Sequence, residues 1–156
     1  MRIAILAVGR QRAGPEADLV ADYHARFDRT GRPLGLGPAR VVEIDDRRGG
    51  GPDGEGTIIL RQVPEATRLV ALDAGGEMLD SAGFAELLRR LADGGQREVA
   101  FAIGGADGLA DAVRARAASA LSFGPMIWPH MLARVMLAEQ LYRAAAILAG
   151  TPYHRA

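Results

Sequence analysis

The 156-residue chain reads as an α/β domain, a parallel sheet with helices on both faces. Three observations predict it. Apolar runs of strand length alternate with amphipathic stretches of helix length, the pattern of repeated βα units. The runs are apolar at nearly every residue rather than at every second one, as in strands covered on both sides. Glycines stand just after the runs, at Gly9, Gly75 and Gly104, and in sheets of this kind ligands bind at the carboxyl ends of the strands.

Residues 3–8 form the first strand, ended by Gly9. Pro15 opens a helix with Leu19, Val20, Tyr23 and Phe27 on one stripe and Asp18, Asp22, Arg26 and Arg29 facing away. Gly and Pro make 31–38 a loop, and 40–44 is a second strand. Gly, Asp and Arg dominate 45–56, which reads as a mobile segment. The apolar stretch 57–63 is the end of a helix that Pro64 closes. A third strand over 68–73 is turned out of the sheet by Gly75 and Gly76. Asp80 or Ser81 caps a helix carrying Phe84, Leu87, Leu88 and Leu91, which Gly94 and Gly95 stop. Residues 98–103 are a fourth strand, 109–121 an Ala-rich helix and 126–128 a brief fifth strand. Pro129 and His130 then begin a helix running to about residue 149 that buries Leu132, Val135, Met136, Leu141 and Leu148.

The length suits one domain over residues 1–156, enough to bury roughly 70% of its unfolded surface. There is no cysteine, hence no disulfide framework and no thiolate metal site, and we expect no metal. The N-terminal apolar run is far below spanning length and lacks a cleavage motif, so a cytoplasmic address and no membrane partner are expected. Acidic and basic residues balance at nineteen each. Overall neutrality argues against non-specific coating of nucleic acid. Every basic residue is Arg, which removes a Lys Schiff base and a phosphate-loop Lys.

The turn Gly104-Gly105-Ala106-Asp107-Gly108 joins a strand to a helix as a dinucleotide fingerprint does, but its spacing is Gly-Gly-x-x-Gly and no ribose-binding acid follows. It is otherwise a tight strand-to-helix turn. Residues 9–14 have phosphate-loop spacing, yet Pro15 and Glu16 stand where Lys and Ser or Thr must be. His24 lies on the polar side of the first helix, a solvated histidine. His130 either caps the last helix or lines a cleft. Alone, a histidine so near the end as His154 frays. Here Tyr153 and Arg155 flank it, Pro152 stiffens the approach and an apolar helix anchors the root. Glu139 and Arg143, four apart, are either a surface ion pair or a partly buried or subunit-facing one. Met131 and Met136 are core filler or a dimer seam.

Ala7-Val8-Gly9-Arg10, Leu72-Asp73-x-x-Gly76, Ile103-Gly104-Gly105-x-x-Gly108-Leu109, Leu121-Ser122-Phe123 leading to Trp128-Pro129-His130, Arg134-Val135, Glu139-Gln140-Leu141-Tyr142-Arg143-Ala144 and the terminal Tyr153-His154-Arg155 together resemble the ribosomal RNA large subunit methyltransferase H family, minimal members of the SPOUT superfamily. The match runs nearly end to end and is weakest over 31–67, where a charged helix usual in the family falls short. The resemblance implies a C-terminal trefoil knot, S-adenosylmethionine as cofactor, a homodimer, and methylation of N3 of a pseudouridine in 23S rRNA of the assembled ribosome. Carried over by position, it implies that Leu72, Gly104, Gly105, Phe123, Gly124, Pro125, Met126, Ile127 and Trp128 line the cofactor. Tyr153, His154 and Arg155 then sit beside the substrate as the catalytic group. Arg10, Arg12, Arg143 and Arg155 are candidate phosphate contacts. Two rival readings are another nucleotide-utilising α/β enzyme and a non-catalytic ribosome-binding module.

Overall fold

The computed structural model describes residues 1–45 and 50–154. Five strands, β1 (Arg2–Val8), β2 (Ala39–Ile44), β3 (Arg68–Met78), β4 (Glu98–Ile103) and β5 (Ser119–Ser122), and five helices, α1 (Pro15–Gly31), α2 (Gly51–Arg61), α3 (Ser81–Asp93), α4 (Asp111–Arg116) and α5 (His130–Leu148), succeed one another along the chain. The strands form one sheet in the order β2-β1-β4-β3-β5, and every pairing is parallel.

Side chains alternate across a strand, and this alternation divides the core into two layers. Ile3, Ile5, Val99, Phe101 and Ile103 meet Phe27 of α1, Phe84 and Leu88 of α3, and Leu137 and Leu141 of α5 on one face. Ala4, Leu6, Val8, Ala100 and Ala102 meet Ile59 of α2 and Val113 of α4 on the other. Both faces are dry, which is why the strands read as unbroken apolar runs. Asp80 caps α3 by accepting the Gly83 amide at 2.6 Å.

Several sequence expectations are corrected. The segment 45–56 is not wholly loop, because α2 begins at Gly51; residues 46–49 lie outside the described residues. Three glycines make α2 a poor helix by propensity, but at Gly56 a Cβ would stand 2.6 Å from the Ala110 Cβ, so the missing side chain is what lets the helix pack. Tertiary contact overrides propensity here. The expected helix over 109–121 shrinks to α4, and 119–122 becomes the edge strand β5, which pairs with β3. That takes the fifth-strand place expected for 126–128, a stretch outside the named strands and held between Pro125 and Pro129, neither of which can donate to a ladder. Gly75 and Gly76 do not end β3. The strand bulges between Leu72 and Glu77, both of which pair with Leu121, and then continues to Met78.

On α5 the buried stripe is Leu137, Leu141 and several alanines, whereas Leu132 is exposed and Val135 and Met136 are half-buried. His24 is not solvated: it is half-buried, and its Nε2 is enclosed with no hydrogen-bond partner among the described residues. Burial pulls its pKa below the usual 6.5, against a smaller opposing effect of Asp28.

Candidate functional site

A cavity of about 580 Å³ opens at the bulge of β3 and the ends of β4 and β5, within the range that holds a small-molecule ligand. Its floor is the turn after β4. Gly108 has φ 80° and donates its amide to the Gly105 carbonyl at 3.1 Å, folding the turn onto itself. At Gly104 a Cβ would lie 2.4 Å from the Gly108 carbonyl, so only glycine permits that closure. The opposite wall is the loop after β5. Ser122 stabilises it, accepting the Gly124 amide at 3.0 Å and donating to the Ala74 carbonyl at 3.0 Å.

Of the residues expected around a cofactor, Leu72, Gly104, Gly105, Phe123, Gly124, Met126, Ile127 and Trp128 line this cavity, and Pro125 does not. His130, the first residue of α5, lines it as well, so of its two expected roles the cleft applies; the N-cap is Pro129. The walls are apolar side chains and glycine main chain. Asp73 and Arg114 also line the cavity and were not singled out as site residues from the sequence. Asp73 stood within a recognisable motif at a strand end, whereas nothing local marks Arg114. The two are paired, Arg114 Nε to Asp73 Oδ2, at 2.7 Å, and the guanidinium holds the Asp73 carboxyl below the usual carboxylate range.

Tyr153 and His154 are brought together elsewhere, and neither is among the residues lining the cavity. The tail is half-buried against α5. Tyr153 donates its hydroxyl to Glu139 Oε1 at 3.0 Å, and Arg143 donates to the same oxygen through Nε at 2.9 Å and through its terminal nitrogen at 2.5 Å. Arg143 also lies over the Tyr153 ring, 4.9 Å from its centroid, and Tyr142 packs on that ring at 4.4 Å. Glu139 and Arg143 are therefore the partly buried pair rather than the surface one. Burial, then the bond to Glu139, pushes the Tyr153 phenol well above its ordinary pKa. Arg143 Nη1 lies 3.4 Å from His154 Nδ1. Arg155 lies outside the described residues.

A groove of about 620 Å³ runs beside the tail, lined by Leu19, Tyr23, Met78, Met136, Glu139 and Gln140 among others. It shares Leu121, Phe123 and Gly124 with the first cavity. Arg134 is fully buried and donates to the carbonyls of Val8 at 2.5 Å and Gly9 at 2.6 Å, tying α5 to the end of β1.

A family model described as a predicted SPOUT methyltransferase matches residues 1–154. The chain belongs to the SPOUT methyltransferase family. Within it, relatives bearing the name ribosomal RNA large subunit methyltransferase H align over nearly the full length of both chains. Those from Dinoroseobacter shibae, Roseobacter denitrificans and Ruegeria pomeroyi are 60%, 57% and 55% identical over 155 residues, 99% of each chain. The solved structure of a probable methylase family protein from Haemophilus influenzae Rd KW20 superposes with a TM-score of 0.50 at 12% identity, covering 99% of this chain and 70% of that one. That likeness concerns the fold. The SPOUT assignment agrees with the parallel sheet covered by helices on both faces. Among the described residues no cluster of potential metal ligands occurs, and no helix is long and apolar enough to cross a membrane.

Proposed function

We propose that this chain transfers a methyl group from S-adenosylmethionine to N3 of a pseudouridine in 23S rRNA of the assembled ribosome, as a cytoplasmic homodimer with a knotted C-terminal portion. The observation that carries this reading is the glycine-floored, apolar-walled cavity at the strand ends, in a chain alike over 99% of its length to relatives named for large-subunit rRNA methylation. The lining suits the donor. Leu72, Phe123, Ile127 and Trp128 offer apolar surface to a purine, and the glycine turn offers main-chain groups at close range. Arg114, the only arginine in the lining among the described residues, is paired with Asp73, so little positive charge faces a sulfonium.

When bound, S-adenosylmethionine supplies an already activated methyl group. What remains for the protein is to hold the acceptor nitrogen in line and dry, and good placement contributes about 7–11 kcal/mol. The Tyr153 phenol stays protonated, so it serves as a hydrogen-bond donor and not as a proton acceptor. A guanidinium only donates. In its contact with His154, Arg143 is the donor and His154 Nδ1 the acceptor, which leaves His154 Nε2 to orient RNA.

The homodimer reading is supported by apolar surface beside the cavity: Ile127 is 96% exposed and Met78 70%, with Leu19, Trp128 and Leu132 also uncovered. Because the tail of a single chain is seated away from its own cavity, a second copy is the source of a tail that could reach it. The deciding experiment deletes the gene and analyses rRNA digests by mass spectrometry. Loss of one methylated pseudouridine, restored on isolated ribosomes by the purified chain and S-adenosylmethionine, is expected; unchanged methylation overturns the reading.

A further inference from the structure

Asp73 and Arg114 meet at the cavity edge from positions 41 residues apart. Both oxygens of the Asp73 carboxylate are engaged: Oδ1 accepts the Gly75 amide at 2.9 Å and Oδ2 takes Arg114 Nε at 2.7 Å. The guanidinium in turn donates through Nη1 to the Leu109 carbonyl and, at 3.3 Å, to Asp111 Oδ1. One pair thus ties the bulge of β3, which carries Leu72 and Ala74, to the end of the turn that carries Gly104 and Gly108. Both segments line the cavity. An ion pair alone at a surface contributes little, but this one also secures main-chain groups on two separate segments of the lining.

We propose that Asp73 and Arg114 form a positioning clamp that sets the width of the cavity and shapes its nucleoside end; this rests on the S-adenosylmethionine reading above. Charge decides which end of the donor they face. Two carboxylates, Asp73 and Asp111, share one guanidinium, so the corner carries a net negative charge. Like charges repel, so the carboxylate of the donor's amino-acid part is disfavoured there. Ribose hydroxyls and the purine amino group, which are neutral donors, are compatible with it.

The test is calorimetric titration of the full chain, Asp73→Asn, Arg114→Gln and the double variant with two ligands, S-adenosylmethionine and 5′-methylthioadenosine, which lacks the amino-acid part. Each single variant is expected to weaken both ligands by the same factor, about tenfold, and the double variant to be no weaker than the worse single one, because the two residues act as one unit. Additive losses would make the residues independent and overturn the clamp. So would unchanged affinities, or a loss confined to S-adenosylmethionine, which would put the pair at the amino-acid end. If the unsubstituted chain binds neither ligand, the cofactor reading itself falls and takes the clamp with it.

Discussion

Gly104 carries the sharpest steric constraint at the site. A methyl group there would lie 2.4 Å from the Gly108 carbonyl carbon and oxygen and 2.8 Å from the Leu109 amide, all main chain, so the turn must open to admit it. Gly104→Ala is therefore expected to weaken S-adenosylmethionine at least tenfold by calorimetry, with a modest fall in melting temperature, since backbone clashes are relieved only by moving the segment. Wild-type affinity in that variant would show that the turn does not hold the cofactor. The glycine turn and the strand ends were legible from the residues themselves, whereas Leu72 and the stretch from Phe123 to Trp128 were reached through the family resemblance, and of that stretch all but Pro125 line the cavity. Arg114 was legible in neither way, because its role arises only when β3 bulges and brings Asp73 over the start of α4.

Helix α1 carries a group that makes stability sensitive to acidity. His24 is enclosed on it and favours the neutral form, so its folded pKa lies below the unfolded value of 6.5. Between those two values the unfolded chain binds more protons, and stability falls with falling pH; above 6.5 the full contribution is present. The melting temperature should drop as pH is lowered from about 7 through the window below 6.5, and His24→Gln should flatten that slope. An identical slope in the variant would assign the effect to other groups. Element by element, β1, α1, β2, α3, β4 and α5 follow from periodicity, caps and glycine stops. The misread elements share one cause. In α2, three glycines hid a helix that exists because Gly56 admits Ala110, and in 119–122 alanines suggested a helix where the open edge of β3 recruits a strand. Packing partners distant in sequence decided both.

Tyr153 and His154 are not among the residues lining the glycine-floored cavity of their own chain, which makes subunit mixing informative. Copies carrying Gly104→Ala, assayed with S-adenosylmethionine too dilute to fill the weakened cavity, and copies carrying His154→Ala are each expected to be inactive on ribosomes. Mixed and allowed to exchange, they should recover about a quarter of wild-type activity, since half of the randomly formed two-fold dimers are hybrids and each hybrid has one intact pairing. No recovery, with hybrids demonstrated by native mass spectrometry, would place cavity and tail in the same copy. The buried Arg134 has a consequence for synthesis. Its hydrogen bonds to Val8 and Gly9 join positions 126 and 125 residues apart, so during synthesis the carboxyl end of β1 waits for α5, the last of the five helices, before it is capped. Contacts this remote in sequence slow folding, and a nascent chain stalled before residue 134 would expose those carbonyls and the apolar face α5 covers, making truncated products natural prey for quality-control proteases.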